Sequence, residues 1–312
     1  MTPRALIVGG TGFVGAHLAR QLSDRYEPVL SGRADDIRDA ARVRALVASA
    51  KPELVVNLAS LTTVRETFAD PKATYDIALF GLLNLLEALK IEGFRGKLLQ
   101  VSSSELYGFP APDQLPLTEA TPLSPLSPYS VAKVAAEALC HQWNHAEAMQ
   151  ILIARPFTHI GPGQSVRFSV ANFARQVAEI MRGRREPVMQ VGQLATTRDL
   201  TDVRDVARAY DAILHRGSRN TIYNVCSGIE TPMRSVLDEL IILSGRTIEV
   251  AEDHGLIRKA EQQRLLGSYA RLKKDTGWRP EIPLKTTLSD TLLYFVKQVN
   301  DETVGDVEQG LT

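Results

Sequence analysis

Cysteine is almost missing from this 312-residue chain, which carries only Cys140 and Cys226. Both sit on apolar segments and neither falls in a metal-ligand spacing. That excludes a disulfide framework and a cysteine-based metal centre, and it points to a reducing cytoplasm. A surplus of charge is missing too. Thirty-six basic residues balance 36 acidic ones, so no global field draws the chain toward nucleic acid or a membrane surface. The basic cluster Arg182-Gly-Arg-Arg185 reads as a solvated helix end. Long apolar runs are absent: the longest, Ile77 to Leu89, is broken by Gly81, Asn84 and Glu87 and is too short to span a bilayer. The chain reaches Ile7-Val8 at once, leaving no room for a signal peptide. What remains, 44% hydrophobic and 23% charged, is ordinary globular composition, long enough for one large domain or two.

Against these absences stand a few dense stretches. Ala5-Leu-Ile-Val8 is a buried-strand pattern, followed by Gly9, Gly12 and Gly15 at intervals of three. Val14, Leu18 and Leu22 then recur at helical spacing. Glycine between a strand and a helix lets the backbone turn tightly and approach a pyrophosphate, which the helix N-terminus attracts. The second strand, Pro28-Val-Leu30, ends in Ser31-Gly32-Arg33. No acid stands where a carboxylate would grip the ribose 2′-hydroxyl of NAD; a serine and an arginine suit a 2′-phosphate. Asp36 and Ile37 follow as adenine contacts. Leu54 to Ala59 gives a third strand, and its end belongs on the ligand side of an open α/β sheet. Asp70-Pro71 opens a long helix through Lys90. Lys97 to Val101 is another strand, ending in Ser102-Ser103-Ser104-Glu105, candidates for substrate contact.

Residues 109–127 hold many prolines and read as a loop that leads into Pro128-Tyr129-Ser130-Val131-Ala132-Lys133. Ser127 is a good N-cap and Pro128 a good first helical residue. Tyr129 and Lys133 then share one helix face. An ammonium one turn away is expected to lower the tyrosine pKa and make the pair a proton donor and acceptor. Ile151 to Ala154 is the next strand. The αβ alternation to this point predicts a doubly wound, Rossmann-like parallel sheet with helices on both faces, followed by a smaller C-terminal α/β lobe. The Gly- and Pro-punctuated stretch from Pro156 to Gln164 suits a binding loop. The boundaries predicted are 1–157 for the dinucleotide-binding domain, with 199–225 returning to it. The lobe takes 158–198 and 226–299, and 300–312 form a disordered tail.

Assembled, these residues resemble the extended short-chain dehydrogenase/reductase superfamily over nearly the whole chain. The resemblance rests on Gly9-x-x-Gly12-x-x-Gly15, Asp36-Ile37, Asn57-Leu-Ala59, Ser103 and Tyr129-x-x-x-Lys133. Within that group the chain is similar to GDP-6-deoxy-4-keto-D-mannose reductases. The closer likeness lies in Arg155 to Gln164, Arg198-Asp-Leu-Thr-Asp-Val-Arg-Asp205, Tyr223 to Gly228, Arg258 to Gln262 and Thr276-Gly-Trp278-Arg-Pro280.

The resemblance implies a cytoplasmic enzyme that uses NADPH, with NADH as the alternative, to reduce the C4 keto group of GDP-4-dehydro-6-deoxy-D-mannose to GDP-D-rhamnose for surface polysaccharide. It implies that Tyr129 protonates the sugar oxygen and that Lys133 binds the nicotinamide ribose. Ser103 would bond the keto oxygen, with Glu105 in the catalytic set. The cofactor would lie on Gly9, Gly12, Phe13, Val14, Arg33, Asp36, Ile37, Leu58 and Ala59, besides Tyr129 and Lys133. Ser104, Thr158, His159, Gln164, Arg198 and Arg258 would take the GDP-sugar, the two arginines on its diphosphate. His159 is equally a structural histidine bonded to backbone. No metal is implied. A homodimer through a four-helix bundle is.

The pattern also departs from those relatives. Thr158 replaces a usual asparagine, Ala78 replaces another, and Leu200 stands where phenylalanine is common. A reductase giving the 6-deoxy-D-talose product, a 4-epimerase and a non-catalytic NADP(H) sensor are the competing expectations.

Overall fold

The computed structural model describes residues 2–60, 64–253 and 262–309. Its strands are β1 (Arg4–Val8), β2 (Glu27–Leu30), β3 (Leu54–Asn57), β4 (Lys97–Val101), β5 (Gln150–Pro156), β6 (Thr158–Ile160), β7 (Val188–Val191), β8 (Thr197–Asp202), β9 (Ile222–Val225), β10 (Glu230–Pro232) and β11 (Glu249–Glu252). The helices are α1 (Phe13–Leu22), α2 (Ala40–Ala50), α3 (Val64–Ala69), α4 (Pro71–Tyr75), α5 (Gly81–Ile91), α6 (Pro128–Ala146), α7 (Ser169–Met181), α8 (Val203–Arg216), α9 (Met233–Ser244), α10 (Ala270–Thr276) and α11 (Leu284–Gln309). Two compact units result: residues 1–157, 204–228 and 267–279 form the first, and 158–203, 229–266 and 280–312 the second.

The first unit is built on a parallel sheet in the order β2-β1-β3-β4-β5-β9. Strand order reverses between β1 and β3, and ligands of open α/β sheets bind beyond the carboxyl ends of the strands at such a switch point. The strands are apolar on both faces because helices cover both. Leu18 and Leu22 of α1 pack with Tyr210 and Ile213 of α8 on one face. Val43 and Val47 of α2, Leu85 and Leu86 of α5, and Ala136 and Cys140 of α6 fill the other.

The stretch read as one helix from Asp70 to Lys90 is broken. Asp70 caps α4 by accepting from the Ala73 amide at 2.9 Å, a π-helical turn follows at Asp76–Phe80, and α5 then runs to Ile91. Ala78 lies buried in the π turn. Gly81 opens α5 at a close crossing: a Cβ there would stand 2.5 Å from Ile37 Cγ2.

The unit boundaries differ from the sequence expectation in three places, the smallest being residues 226–228, expected in the lobe and found in the first unit. Residues 267–279, expected in the lobe, return to the first unit. There the Trp278 indole donates to the Asp205 carbonyl at 3.1 Å and the Tyr223 hydroxyl to Asp275 at 2.9 Å. Residues 199–203, expected with the dinucleotide domain, belong to the second unit, where β8 pairs β6 in parallel and β10 antiparallel. A second ribbon pairs β7 with β11. Val177 of α7, Val236 and Leu240 of α9, and Leu292 and Phe295 of α11 form that unit's core. The polar stretch expected to be a disordered tail from residue 300 is helical to Gln309 as the end of α11. Among the described residues no helix is long and apolar enough to cross a membrane.

Candidate active site

Chain geometry at the end of β1 makes an anion cradle. Gly9 has φ +75°, the left-handed region that favours glycine, and its N–H donates to Ser31 Oγ at 3.2 Å. Gly15 lies so close to the turn that a Cβ would fall 2.2 Å from the Gly10 carbonyl oxygen. Gly12 is different: a Cβ there would meet only Gly9 O, at 3.3 Å. Internal packing therefore demands Gly15, whereas the missing side chain at Gly12 keeps open the space in front of α1. Gly12 is the N-cap of α1 without a side-chain cap, and the first turn holds no acid. The N-terminal, positive dipole end of that helix faces this space, a fit for a dinucleotide pyrophosphate. Phe13 stacks edge-to-face on His17 with centroids 5.6 Å apart, and Val14 packs against the core.

The flanking residues divide between ligand side and core. Ser31, expected beside a 2′-phosphate, is enclosed at 1% exposure and serves the glycine turn. Arg33 is exposed and makes no hydrogen bond or ion pair among the described residues. Asp35 is engaged by Arg42 at 3.3 Å. Asp36 is held by Arg38 at 2.6 Å, and that hydrogen bond keeps its carboxyl below the usual range. The Ile37 side chain is buried in the core, leaving only its main chain toward a cofactor. At the end of β3, Asn57 explains its own motif. Its Oδ1 accepts from the Ala59 amide at 3.1 Å while its Nδ2 donates to Gln100 at 2.9 Å, fixing Leu58 and Ala59 beside Gly9.

Strand β4 and helix α6 bring the catalytic candidates together. Ser103 follows the strand as cap of a 3₁₀ turn, accepting from the Glu105 amide at 3.1 Å, and it stands close enough to the Tyr129 phenol to act on its pKa. Ser127 and Ser130 form a reciprocal capping box at the start of α6, so Tyr129 is held by a well-closed helix end. Lys133 Nζ lies 5.7 Å from the Tyr129 ring centroid and donates to the Val101 carbonyl at 2.8 Å. Ser104 is buried and Glu105 exposed.

The expected lowering of the Tyr129 pKa is not what this geometry does. Burial of the phenol pushes it up to about 12; the Ser103 hydrogen bond acts downward and the Glu105 charge upward. Lys133 is itself drawn down to about 8 by burial, with Glu137 and Cys140 acting in the opposite direction. Tyr129 is therefore a protonated phenol at neutral pH, the form a proton donor needs. Helical periodicity sets the pair's spacing, but desolvation of the phenol sets the direction of its pKa.

In the second unit β6 and β8 carry three of the sugar-side candidates, Thr158, His159 and Arg198. Thr158 and His159 stand opposite Leu200 and Thr201. Gln164 is buried and donates to the His159 carbonyl at 2.9 Å, while its Oε1 has no partner among the described residues. Arg198 donates from Nη1 to the carbonyls of Thr197 and Gln262, both at 2.8 Å. Arg258 lies outside the described residues. Sequence reasoning missed Glu137 and Arg155, a buried pair 2.6 Å apart; the signal available was Glu137 standing four residues after Lys133 on one helix.

A doubly wound sheet, a glycine cradle and a Ser-Tyr-Lys set define the extended short-chain dehydrogenase/reductase fold. The chain belongs to the GDP-mannose 4,6-dehydratase family within it: that family's model matches residues 30–291. It is 40% identical to a GDP-6-deoxy-D-mannose reductase of Pseudomonas aeruginosa, over 97% of this chain and 100% of that one. The structure of RMD from Pseudomonas aeruginosa complexed with NADPH superposes with a TM-score of 0.88 at 40% identity, covering 95% of this chain and 99% of that chain. A Thermus thermophilus UDP-glucose 4-epimerase in complex with NAD superposes with a TM-score of 0.82 at 27% identity, covering 94% and 98%.

Proposed function

We propose that this chain reduces the C4 keto group of GDP-4-dehydro-6-deoxy-D-mannose with NADPH to give GDP-D-rhamnose. The observation that carries this reading is the intact Ser103–Tyr129–Lys133 geometry in a chain 40% identical, end to end, to a GDP-6-deoxy-D-mannose reductase. Bound NADPH supplies the hydride that arrives at C4. Tyr129 donates its proton to the sugar oxygen as that charge develops, and Ser103 hydrogen-bonds the same oxygen. Lys133 holds the nicotinamide ribose. The diphosphate of the substrate is the partner for Arg198, since a guanidinium fork binds such groups bidentately. NMR of the isolated product tests the facial outcome: large couplings of H4 to H3 and H5 identify the D-rhamnose sugar, and small ones identify 6-deoxy-D-talose.

Arg33, exposed and without a partner among the described residues, supports NADPH over NADH. R33A is expected to weaken NADPH binding about 10- to 100-fold, the worth of charge-assisted hydrogen bonds to a phosphate, and to leave NADH binding unchanged. Equal weakening of both cofactors would remove Arg33 from the 2′-phosphate site.

We also propose that two chains pair through the α3–α6 region. Phe68 and Phe80 are 59% and 54% exposed and Val131 is 42% exposed, apolar surface on helices that pack together within this unit. In sedimentation experiments the wild type is expected as a dimer and F80D as a monomer; a wild-type monomer contradicts the pairing. Cys140 and Cys226 are buried thiols outside any disulfide among the described residues, which supports placement in a reducing cytoplasm.

A further inference from the structure

One turn beyond Lys133 on α6, Glu137 is nearly as enclosed as the lysine: exposure is 4% for the one and 2% for the other. Its carboxylate takes both arms of the Arg155 fork, accepting from Nε at 2.9 Å and from Nη2 at 2.6 Å. Arg155 Nη1 donates to the Tyr107 hydroxyl at 3.0 Å, and that hydroxyl donates to Asn224 Oδ1 at 2.7 Å. The Asn224 amide donates in turn to the Leu117 carbonyl at 3.1 Å. The network thus ties α6 to β5, β9 and the loop before α6. A buried ion pair is a poor device for stability alone, because an apolar pair of similar volume does as well or better. This one sits beside the single lysine of the candidate catalytic set.

We propose that Glu137, oriented by Arg155, is a positioning residue that holds Lys133 as an ammonium ion for the cofactor ribose. The proposal rests on the reductase reading of Lys133. The groups facing Lys133 are few. Its own helix supplies the Tyr129 phenol, the Cys140 thiol and the Glu137 carboxylate, and β4 supplies the Val101 carbonyl. Arg155 on β5 adds a cation already matched by Glu137, and Glu105 of the 3₁₀ turn bears on Tyr129. Glu137 therefore brings the opposing charge in its fixed place. Burial pulls the Lys133 pKa down to about 8, and the carboxylate acts against that fall.

The test is the NADPH dissociation constant of E137Q, read by fluorescence from about pH 6 to about pH 9.5. Without the carboxylate, Lys133 loses its proton at lower pH, so the alkaline weakening of binding moves about one unit toward acid. Near pH 8 the variant binds about fivefold more weakly than wild type, and near pH 6 the two are equal. E137D, which keeps the charge, restores the wild-type profile. Should E137Q fail to fold with Arg155 left unmatched, E137Q/R155Q carries no lone buried charge and shows the limb moved in the same direction by a smaller step, because the guanidinium leaves with the carboxylate. K133M separates the two levels. A limb that is lost in K133M and unmoved in E137Q overturns this proposal alone. A limb that persists in K133M overturns the reading of Lys133, and the proposal with it.

Discussion

Y129F is expected to lower turnover by about 10²- to 10⁴-fold, the contribution of a positioned proton donor, while NADPH binding and thermal stability stay near wild type. The fold side of this expectation follows from where Tyr129 stands. Helix α6 is closed by Ser127 and Ser130, and the tyrosine contributes nothing to that cap. Phenylalanine keeps the ring under Lys133 and deletes only the hydroxyl on the Ser103 side. The chemical side follows from the phenol's pKa of about 12. A donor held fully protonated at neutral pH delivers its proton only when negative charge develops on the sugar oxygen. Single-turnover and steady-state rates with the 4-keto sugar check this. Unchanged turnover would take Tyr129 out of the mechanism; loss of NADPH binding would recast it as a cofactor contact.

The second large effect is G15A, set against G12A. A Cβ at Gly15 would lie 2.2 Å from the Gly10 carbonyl oxygen, a backbone atom with no rotamer to escape by. The turn and α1 must separate, and overpacking of this kind costs about 1–3 kcal/mol or more. G15A is expected to melt several degrees lower and to lose measurable NADPH affinity. At Gly12 the nearest atom would be Gly9 O at 3.3 Å, so G12A should fold with a melting temperature near wild type. Its methyl instead enters the space in front of α1 and weakens NADPH more than tenfold, about 1.4 kcal/mol. Calorimetry and fluorescence titration on the two variants distinguish the glycine needed for folding from the one needed for the ligand. Equal melting temperatures for both variants would contradict that division.

What could be read from the residues, and what could not, follows the range of the interactions. The β1–Gly9–α1 turn was legible because its demands are local: a strand, three glycines at fixed intervals and a helix face. The Tyr129/Lys133 pairing was legible for the same reason, being set by helical periodicity. Strands β6 and β10 were not, since three residues carry no period and their existence depends on pairing with β8. The return of residues 267–279 to the first unit rests on bonds such as Trp278 to Asp205, which span 73 positions. Ser31 looked free beside Arg33 in the sequence, and only the folded turn shows its hydroxyl committed to the Gly9 amide. The direction of the Tyr129 pKa depended on how deeply the phenol is enclosed, a property of β4 and α6 together. Among the site residues, those defined by backbone geometry were therefore clearer than those defined by burial.

The most direct test of the reductase reading is to mix the purified protein with GDP-4-dehydro-6-deoxy-D-mannose and NADPH and follow the near-ultraviolet absorbance of the cofactor. Stoichiometric loss of NADPH, one per sugar reduced, is the expected result. Tight binding of the GDP-sugar with no NADPH consumed would contradict it, and would turn the same Ser103–Tyr129–Lys133 geometry toward epimerisation or toward sensing.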